Sequence, residues 1–161
     1  MTYIIMGVCG SGKSTVGEAL AQALGLPFHD ADPFHPAANV AKMKAGIPLN
    51  DEDRQPWLQN LAAHIRQWNT QGGAVLACSA LKEKYRDILR SGGGVQFILV
   101  HGPKELLAAR LGGRQGHFMN PALLDSQLAT LELPSDALHV DLALSLEQQV
   151  QFILKNLAEK N

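Results

Sequence analysis

Apolar positions in this chain alternate between two periods, and the switches lay out its elements. Tyr3-Ile4-Ile5-Met6 is an apolar run of strand length. After a glycine-rich turn, Val16, Ala19, Leu20, Ala23 and Leu24 fall at i, i+3, i+4, i+7 and i+8, one face of a helix. Gly25, with Pro27 just beyond, ends it. Phe28-His29-Asp30 starts a brief strand that runs into a polar turn ending at Pro36. Residues 36–45 read as a short helix closed by Gly46, and residues 47–56 as a charged loop. A longer helix follows, with Leu58, Leu61, Ile65 and Trp68 in period until Gly72-Gly73.

The second half repeats the alternation. Ala74-Val75-Leu76-Ala77-Cys78 is an uninterrupted apolar run, the signature of a strand buried on both faces. Ser79-Ala80 turns it into a helix carrying Lys82, Lys84, Tyr85 and Arg86, ended by Gly92-Gly93-Gly94. Val95 to Val100 is the next strand and Pro103 to Leu111 the next helix. Residues 112–118 are Gly-rich and basic, and Asn120-Pro121 opens a helix to about Thr130. A weak strand near His139–Leu142 precedes a last helix with Ser145 and Gln148 in capping-box spacing. Strands alternating with helices predict an α/β fold, a parallel sheet with helices on both faces, as one domain over residues 1–161. In such sheets ligands bind at the carboxyl ends of the strands. Here that edge receives the first glycine-rich turn, Asp30 and Asp32, Ser79 to Arg86, and His101.

Composition narrows the class. The chain has 161 residues, 46% of them hydrophobic, and a net charge of -1, so no basic field invites nucleic acid or an anionic membrane. No apolar run approaches the roughly 20 residues of a membrane span, and a signal peptide is not expected at the N-terminus. Cys9 and Cys78 show no metal spacing and are expected to be reduced thiols in a cytoplasmic protein.

The chemistry starts at Gly7-Val8-Cys9-Gly10-Ser11-Gly12-Lys13-Ser14, which fits G-x-x-x-x-G-K-[ST] at every fixed position between a strand and a helix. Gly7, Gly10 and Gly12 let the backbone N–H groups converge on phosphates, and the following helix aims its free N–H groups at the same anion. Lys13 is then expected to reach the β- and γ-phosphates of ATP, and the Ser14 hydroxyl to join a Mg²⁺ shell. Val8, Cys9, Ser11 and Thr15 complete the predicted ATP-binding stretch.

Asp30 and Asp32, one residue apart at a strand end, divide into a metal ligand and a group for the acceptor hydroxyl. The third strand lacks a terminal acid, which strengthens Asp30 for the metal and counts against an ordinary ATPase or GTPase. His35, Lys42, Arg54, Lys82 and Arg86 supply groups for a negatively charged acceptor. Arg110, Arg114 and His117 lie in or beside the Gly-flanked segment, expected to be a mobile lid at about 112–134. Of these, Arg110 is expected to serve ATP, Arg114 the transition-state charge and His117 the acceptor.

Longer motifs add a resemblance. Phe28-His29-Asp30-Ala31-Asp32, His35-Pro36-x-x-Asn39 and Lys42-Met43 are followed by Gly46-x-Pro48-Leu49-Asn50-Asp51-x-Asp53-Arg54-x-Pro56-Trp57-Leu58. Then come Cys78-Ser79-Ala80-Leu81-Lys82-x-x-Tyr85-Arg86-Asp87, Arg114-x-x-His117-Phe118-Met119 and Gln127-x-x-x-Leu131-Glu132-x-Pro134. With the phosphate loop, this set resembles the gluconokinases of the small phosphate-loop type, relatives of shikimate kinase.

The resemblance implies a three-layer phosphate-loop kinase fold and transfer of the ATP γ-phosphate to the 6-hydroxyl of D-gluconate, with Mg²⁺, often by a homodimer. It implies a catalytic carboxylate at Asp32 and a substrate pocket using His35, Arg54, Lys82 and Arg86. Ala31 stands where such proteins usually have Gly, and Leu133 where Glu or Gln is common. Two other readings stay open: a kinase for another small acid such as shikimate, and an ATP-binding sensor without catalysis.

Overall fold

The computed structural model describes residues 1–112 and 121–159. Five strands form one sheet in the order β2-β3-β1-β4-β5: β1 (Thr2–Met6), β2 (Phe28–Asp30), β3 (Ala74–Ala77), β4 (Val95–His101) and β5 (Leu138–Asp141). Every pairing is parallel, with Ile4 beside both Leu76 and Phe97, and Leu99 beside His139. The central strands β1 and β3 are the near-continuous apolar runs, as burial on both faces demands.

Alternate residues of each strand feed two cores. On one face Ile4, Met6, Leu76, Cys78, Phe97 and Leu99 pack under α3 (Asp51–Thr70) and α4 (Glu83–Arg90), which contribute Trp57, Leu58, Leu61, Ile65 and Leu89. On the other, Ile5, Val75, Ile98, Val100 and Val140 meet Val16 and Leu20 of α1 (Lys13–Leu24) and Leu107 of α5 (Lys104–Gly112). Leu124 of α6 (Pro121–Thr130) and Ile153 of α7 (Leu146–Glu159) complete that core. Truncating a fully buried Leu in either layer, Leu61 for instance, costs about 2–5 kcal/mol. Gly17 is where α1 crosses Phe28 of β2, since a Cβ there would stand 2.6 Å from the ring.

The structure redraws one predicted boundary. The charged segment before Leu58 is not a loop beyond Asn50: α3 begins at Asp51, so Asp51, Asp53 and Arg54 sit on helix turns. Asn50 and Asp53 form a reciprocal capping box, Asp53 N–H donating to Asn50 Oδ1 at 2.8 Å and Asn50 N–H to Asp53 Oδ2 at 3.0 Å. Three acids in the first turn also suit the positive helix end. These starting terms outweigh Pro56, which stands inside the helix. A short helix, α2 (Ala37–Lys44), and a 3₁₀ turn at Asp32–Phe34 bridge β2 to α3. Of the expected lid at about 112–134, residues 113–120 lie outside the described residues, and 121–130 form α6.

Candidate active site

At the carboxyl end of β1 the chain turns through the predicted phosphate loop. Gly10 and Gly12 take φ of 82° and 80°, left-handed values open to glycine. Gly7 is fixed by crowding, because a Cβ there would stand 2.8 Å from both Ser11 Oγ and the Val100 carbonyl oxygen. Gly12 is the N-cap of α1 and no side chain caps that end, which leaves first-turn N–H groups for an anion. Within the loop Ser11 is 1% exposed, and its Oγ has no hydrogen-bond partner among the described residues. Lys13 and Ser14 are the first two residues of α1, with Thr15 next and exposed. Arg110 reaches the same place from α5: its Nη2 donates to the Leu142 carbonyl at 2.8 Å, and Nη1 stands 4.0 Å from where a Gly12 Cβ would be.

The β2 end is tied to this loop. Ser14 Oγ donates to Asp30 Oδ2 at 3.3 Å, and Asp30 Oδ1 accepts the Asp32 N–H at 3.0 Å. These two hard oxygen donors, Ser14 Oγ and Asp30 Oδ2, suit Mg²⁺. No group of three or more His, Cys, Asp or Glu side chains that could hold a metal occurs among the described residues. A two-ligand site fits Mg²⁺, which keeps several waters and takes substrate phosphates. Ala31, between the two aspartates, has φ -72° and ψ -24°, ordinary right-handed values that do not require glycine. Its methyl is buried in the core, and its carbonyl accepts from Trp57 Nε1 at 2.8 Å. The backbone between Asp30 and Asp32 is thus held at both groups of Ala31, its N–H donating to the Ala77 carbonyl at 2.9 Å and its carbonyl accepting from Trp57.

Beside the loop opens a cleft of about 720 Å³, lined among others by Asp32, His35, Arg54, Trp57, Ser79, Lys82, Tyr85 and Gln127. Its lip carries Met43 and Ile47, which are exposed, and Leu123 from α6. His35 stacks on Trp57, ring centres 4.1 Å apart at 16°. Asn39 Nδ2 donates both to the Asp53 carbonyl at 2.8 Å and to His35 Nδ1 at 3.1 Å. Since Nδ1 accepts, the ring is neutral and its proton sits on Nε2. Burial pushes the His35 pKa down, and Arg54 adds to this against the opposing pull of Asp32, which agrees with a neutral ring.

A polar wall links the cations. Asp51 accepts from Lys82 Nζ at 3.1 and 3.3 Å, and from Lys84 Nζ and the Tyr85 hydroxyl; these partners, Lys84 first, hold its carboxyl well below the usual range. Arg54 Nη1 donates to Tyr85 Oη at 3.3 Å and has no carboxylate partner among the described residues. Arg54 therefore offers the cleft an unpaired charge, while that of Lys82 is already met by Asp51. Lys42 is paired with Asp53 at 2.8 Å.

Arg86 departs from expectation. It is 0% exposed and lies outside the cleft lining. Its Nε and Nη2 donate to Glu83 Oε2 at 3.1 and 2.8 Å, Nη1 to the Ala80 carbonyl at 2.8 Å, and Nη2 to the Glu132 carbonyl at 2.7 Å. With these donors occupied inside the core, Arg86 is corrected from an acceptor ligand to a brace. It holds the β3–α4 loop, where Ala80 adopts φ 47°, against the chain that follows α6. Arg114 and His117 lie outside the described residues.

Sequence reasoning missed Asp51, Tyr85 and Gln127 as site groups. Gln127 lines the cleft and accepts the Cys9 N–H through Oε1 at 2.7 Å. All three stood inside the family-like motifs, but a role for each depends on contacts 31 or more residues away. Cys9 and Cys78 are buried, and burial raises both thiols, Cys78 to about 12. Neither is a reactive thiolate.

Comparison with known proteins gives the same address for this arrangement. The family described as Shikimate kinase matches residues 9–149. A probable gluconokinase of Dictyostelium discoideum is 48% identical over 145 residues, covering 85% of this chain and 72% of that protein. The gluconokinase of Gluconobacter oxydans is 49% identical over 135 residues, covering 83% of this chain and 76% of that protein. The crystal structure of a gluconokinase from Sinorhizobium meliloti superimposes with a TM-score of 0.88 at 45% identity, covering 98% of this chain and 91% of that one.

Proposed function

Because this chain belongs to the shikimate kinase family and, within it, to the gluconokinases, we propose that it transfers the γ-phosphoryl group of ATP to the 6-hydroxyl of D-gluconate. One observation carries the reading beyond kinship. An uncapped phosphate loop and an open cleft holding Asp32, His35 and the unpaired Arg54 share one edge of the sheet. A cleft of about 720 Å³ accommodates a six-carbon sugar acid.

The phosphate-loop N–H groups and Lys13 hold the ATP phosphates, with Arg110 at their flank. Ser14 and Asp30 would hold Mg²⁺, which would supply charge neutralisation for the phosphates. Arg54 takes the gluconate carboxylate, and His35 Nε2–H and Lys82 add hydrogen bonds. Asp32 accepts the proton of the 6-hydroxyl as its oxygen bonds to the γ-phosphorus and the bond from that phosphorus to the β,γ-bridging oxygen breaks, releasing ADP. Arg114 and His117 belong to the reading as lid groups that stabilise charge and close on the acceptor. The chain acts as one domain, a cytoplasmic homodimer; among the described residues no helix is long and apolar enough to cross a membrane.

The test is ATP consumption with Mg²⁺ and D-gluconate, shikimate, other aldonic acids or no acceptor. Formation of 6-phosphogluconate with little turnover in the blank is the expected result. Activity confined to another acid would move the specificity, and ATP binding without any acceptor-dependent turnover would favour a sensor. Light scattering on the eluting protein checks the dimer.

A further inference from the structure

One contact of the phosphate loop is unused by this chemistry. The Cys9 N–H donates to Gln127 Oε1 at 2.7 Å, joining residues 118 positions apart. A main-chain N–H can only donate, so the accepting atom is the amide oxygen and the Gln127 –NH2 takes the other side of the group. That –NH2 has no hydrogen-bond partner among the described residues, although Gln127 is half-buried. Gln127 lines the cleft together with Asp32 and Arg54, and so stands where the loop and the cleft meet.

Its backbone is held firmly for a group on a helix that ends the expected lid. Leu124, one turn before it, is 2% exposed in the core. Five residues after it, just past the end of α6, the Glu132 N–H donates to the Leu81 carbonyl at 2.8 Å, and the Glu132 carbonyl accepts from the buried Arg86. A donor pair without a protein partner among the described residues is therefore carried in the cleft that Asp32 also lines.

We propose that Gln127 is a specificity-determining residue: its –NH2 donates to a hydroxyl oxygen on the carbon chain of the acceptor while the Cys9 N–H holds its carbonyl oxygen. This rests on the reading of the chain as a sugar-acid kinase. A site built to hydrogen-bond a substrate hydroxyl rejects the analogue that lacks it, because the protein donor is then left without a partner. Anchoring to the loop fixes that hydroxyl relative to the nucleotide, which aligns the reacting oxygen as well as selecting the chain.

The test compares kcat/KM on D-gluconate with that on its 2-, 3- and 4-deoxy analogues, in the wild type, Gln127→Met and Gln127→Glu. Gln127→Glu keeps an oxygen for the Cys9 N–H and removes the donors; any effect of its charge on ATP is common to every acceptor and drops out of the ratio. The wild type is expected to lose about three- to tenfold on one deoxy acceptor. Both variants should lose a similar factor on D-gluconate itself and no longer distinguish that analogue, with Tm near wild type.

Variants that retain the full wild-type discrimination would overturn the proposal, as would a loss seen only in the KM for ATP. Wild-type turnover of D-gluconate is measured first and bears on the preceding reading alone. If another acid is the substrate, the same ratio is taken on its deoxy analogues; turnover of no acid overturns both.

Discussion

Ser14 Oγ lies 3.3 Å from Asp30 Oδ2, so the second residue of α1 and the last residue of β2 share a hydrogen bond at the lip of the phosphate loop. The proposed chemistry converts that bond into a pair of metal ligands. Asp30→Asn and Ser14→Ala should each raise the Mg²⁺ concentration for half-maximal rate about 10- to 100-fold at saturating ATP. A titration curve unchanged in both variants would remove the pair from the metal site.

Asp32 lines the cleft two residues further on, its N–H held by Asp30. Asp32→Asn preserves that backbone contact and removes only the proton acceptor. The expected fall in kcat is about 10²–10⁴-fold with the KM for ATP close to wild type. Steady-state kinetics with both substrates varied checks it, and wild-type turnover would exclude Asp32 as base.

Arg54 and Arg86 should separate cleanly. Arg54→Met removes an unpaired charge from the cleft, lowering kcat/KM for gluconate about 10- to 100-fold with little change in Tm. Arg86→Met leaves the Ala80 and Glu132 carbonyls without their donor inside the core, a loss of about 3 kcal/mol and roughly 6–12 °C in Tm. Calorimetry on both proteins is the measurement; a Tm drop in Arg54→Met equal to that of Arg86→Met would collapse the distinction.

His35 yields a pH dependence. Burial lowers its pKa in the fold below the ordinary value of about 6.5, so the unfolded chain takes up a proton before the folded one does. Its contribution to stability is therefore fully present above pH 6.5. It declines as pH falls below 6.5 towards the folded pKa, and the loss is complete only beneath that value. The Tm of the wild type should fall relative to His35→Gln between pH 7 and 5. An NMR titration placing His35 at or above 6.5 contradicts the geometry with Asn39.

What the sequence determined by itself was everything that local periodicity and fixed spacing encode. Strands β1 and β3 announce themselves as apolar runs, α1 by its stripe, and the loop by Gly7, Gly10, Gly12 and Lys13 at required intervals. The capping box of α7, Ser145 with Gln148, was legible for the same reason, its two bonds spanning three residues. The start of α3 was not, because Pro56 and the charges around it suggest a loop, whereas the reciprocal bonds of Asn50 and Asp53 nucleate a helix.

Only the tertiary structure decided which charged groups act and which brace. Arg54 and Arg86 are the same residue type in neighbouring family-like motifs, yet one lines the cleft and the other is enclosed by carbonyls from two segments. Lys82 is met by Asp51 across 31 residues, and Gln127 meets Cys9 across 118. Such pairings depend on how the helices stack on the sheet, and burial then fixes each partner by making an unsatisfied polar group costly.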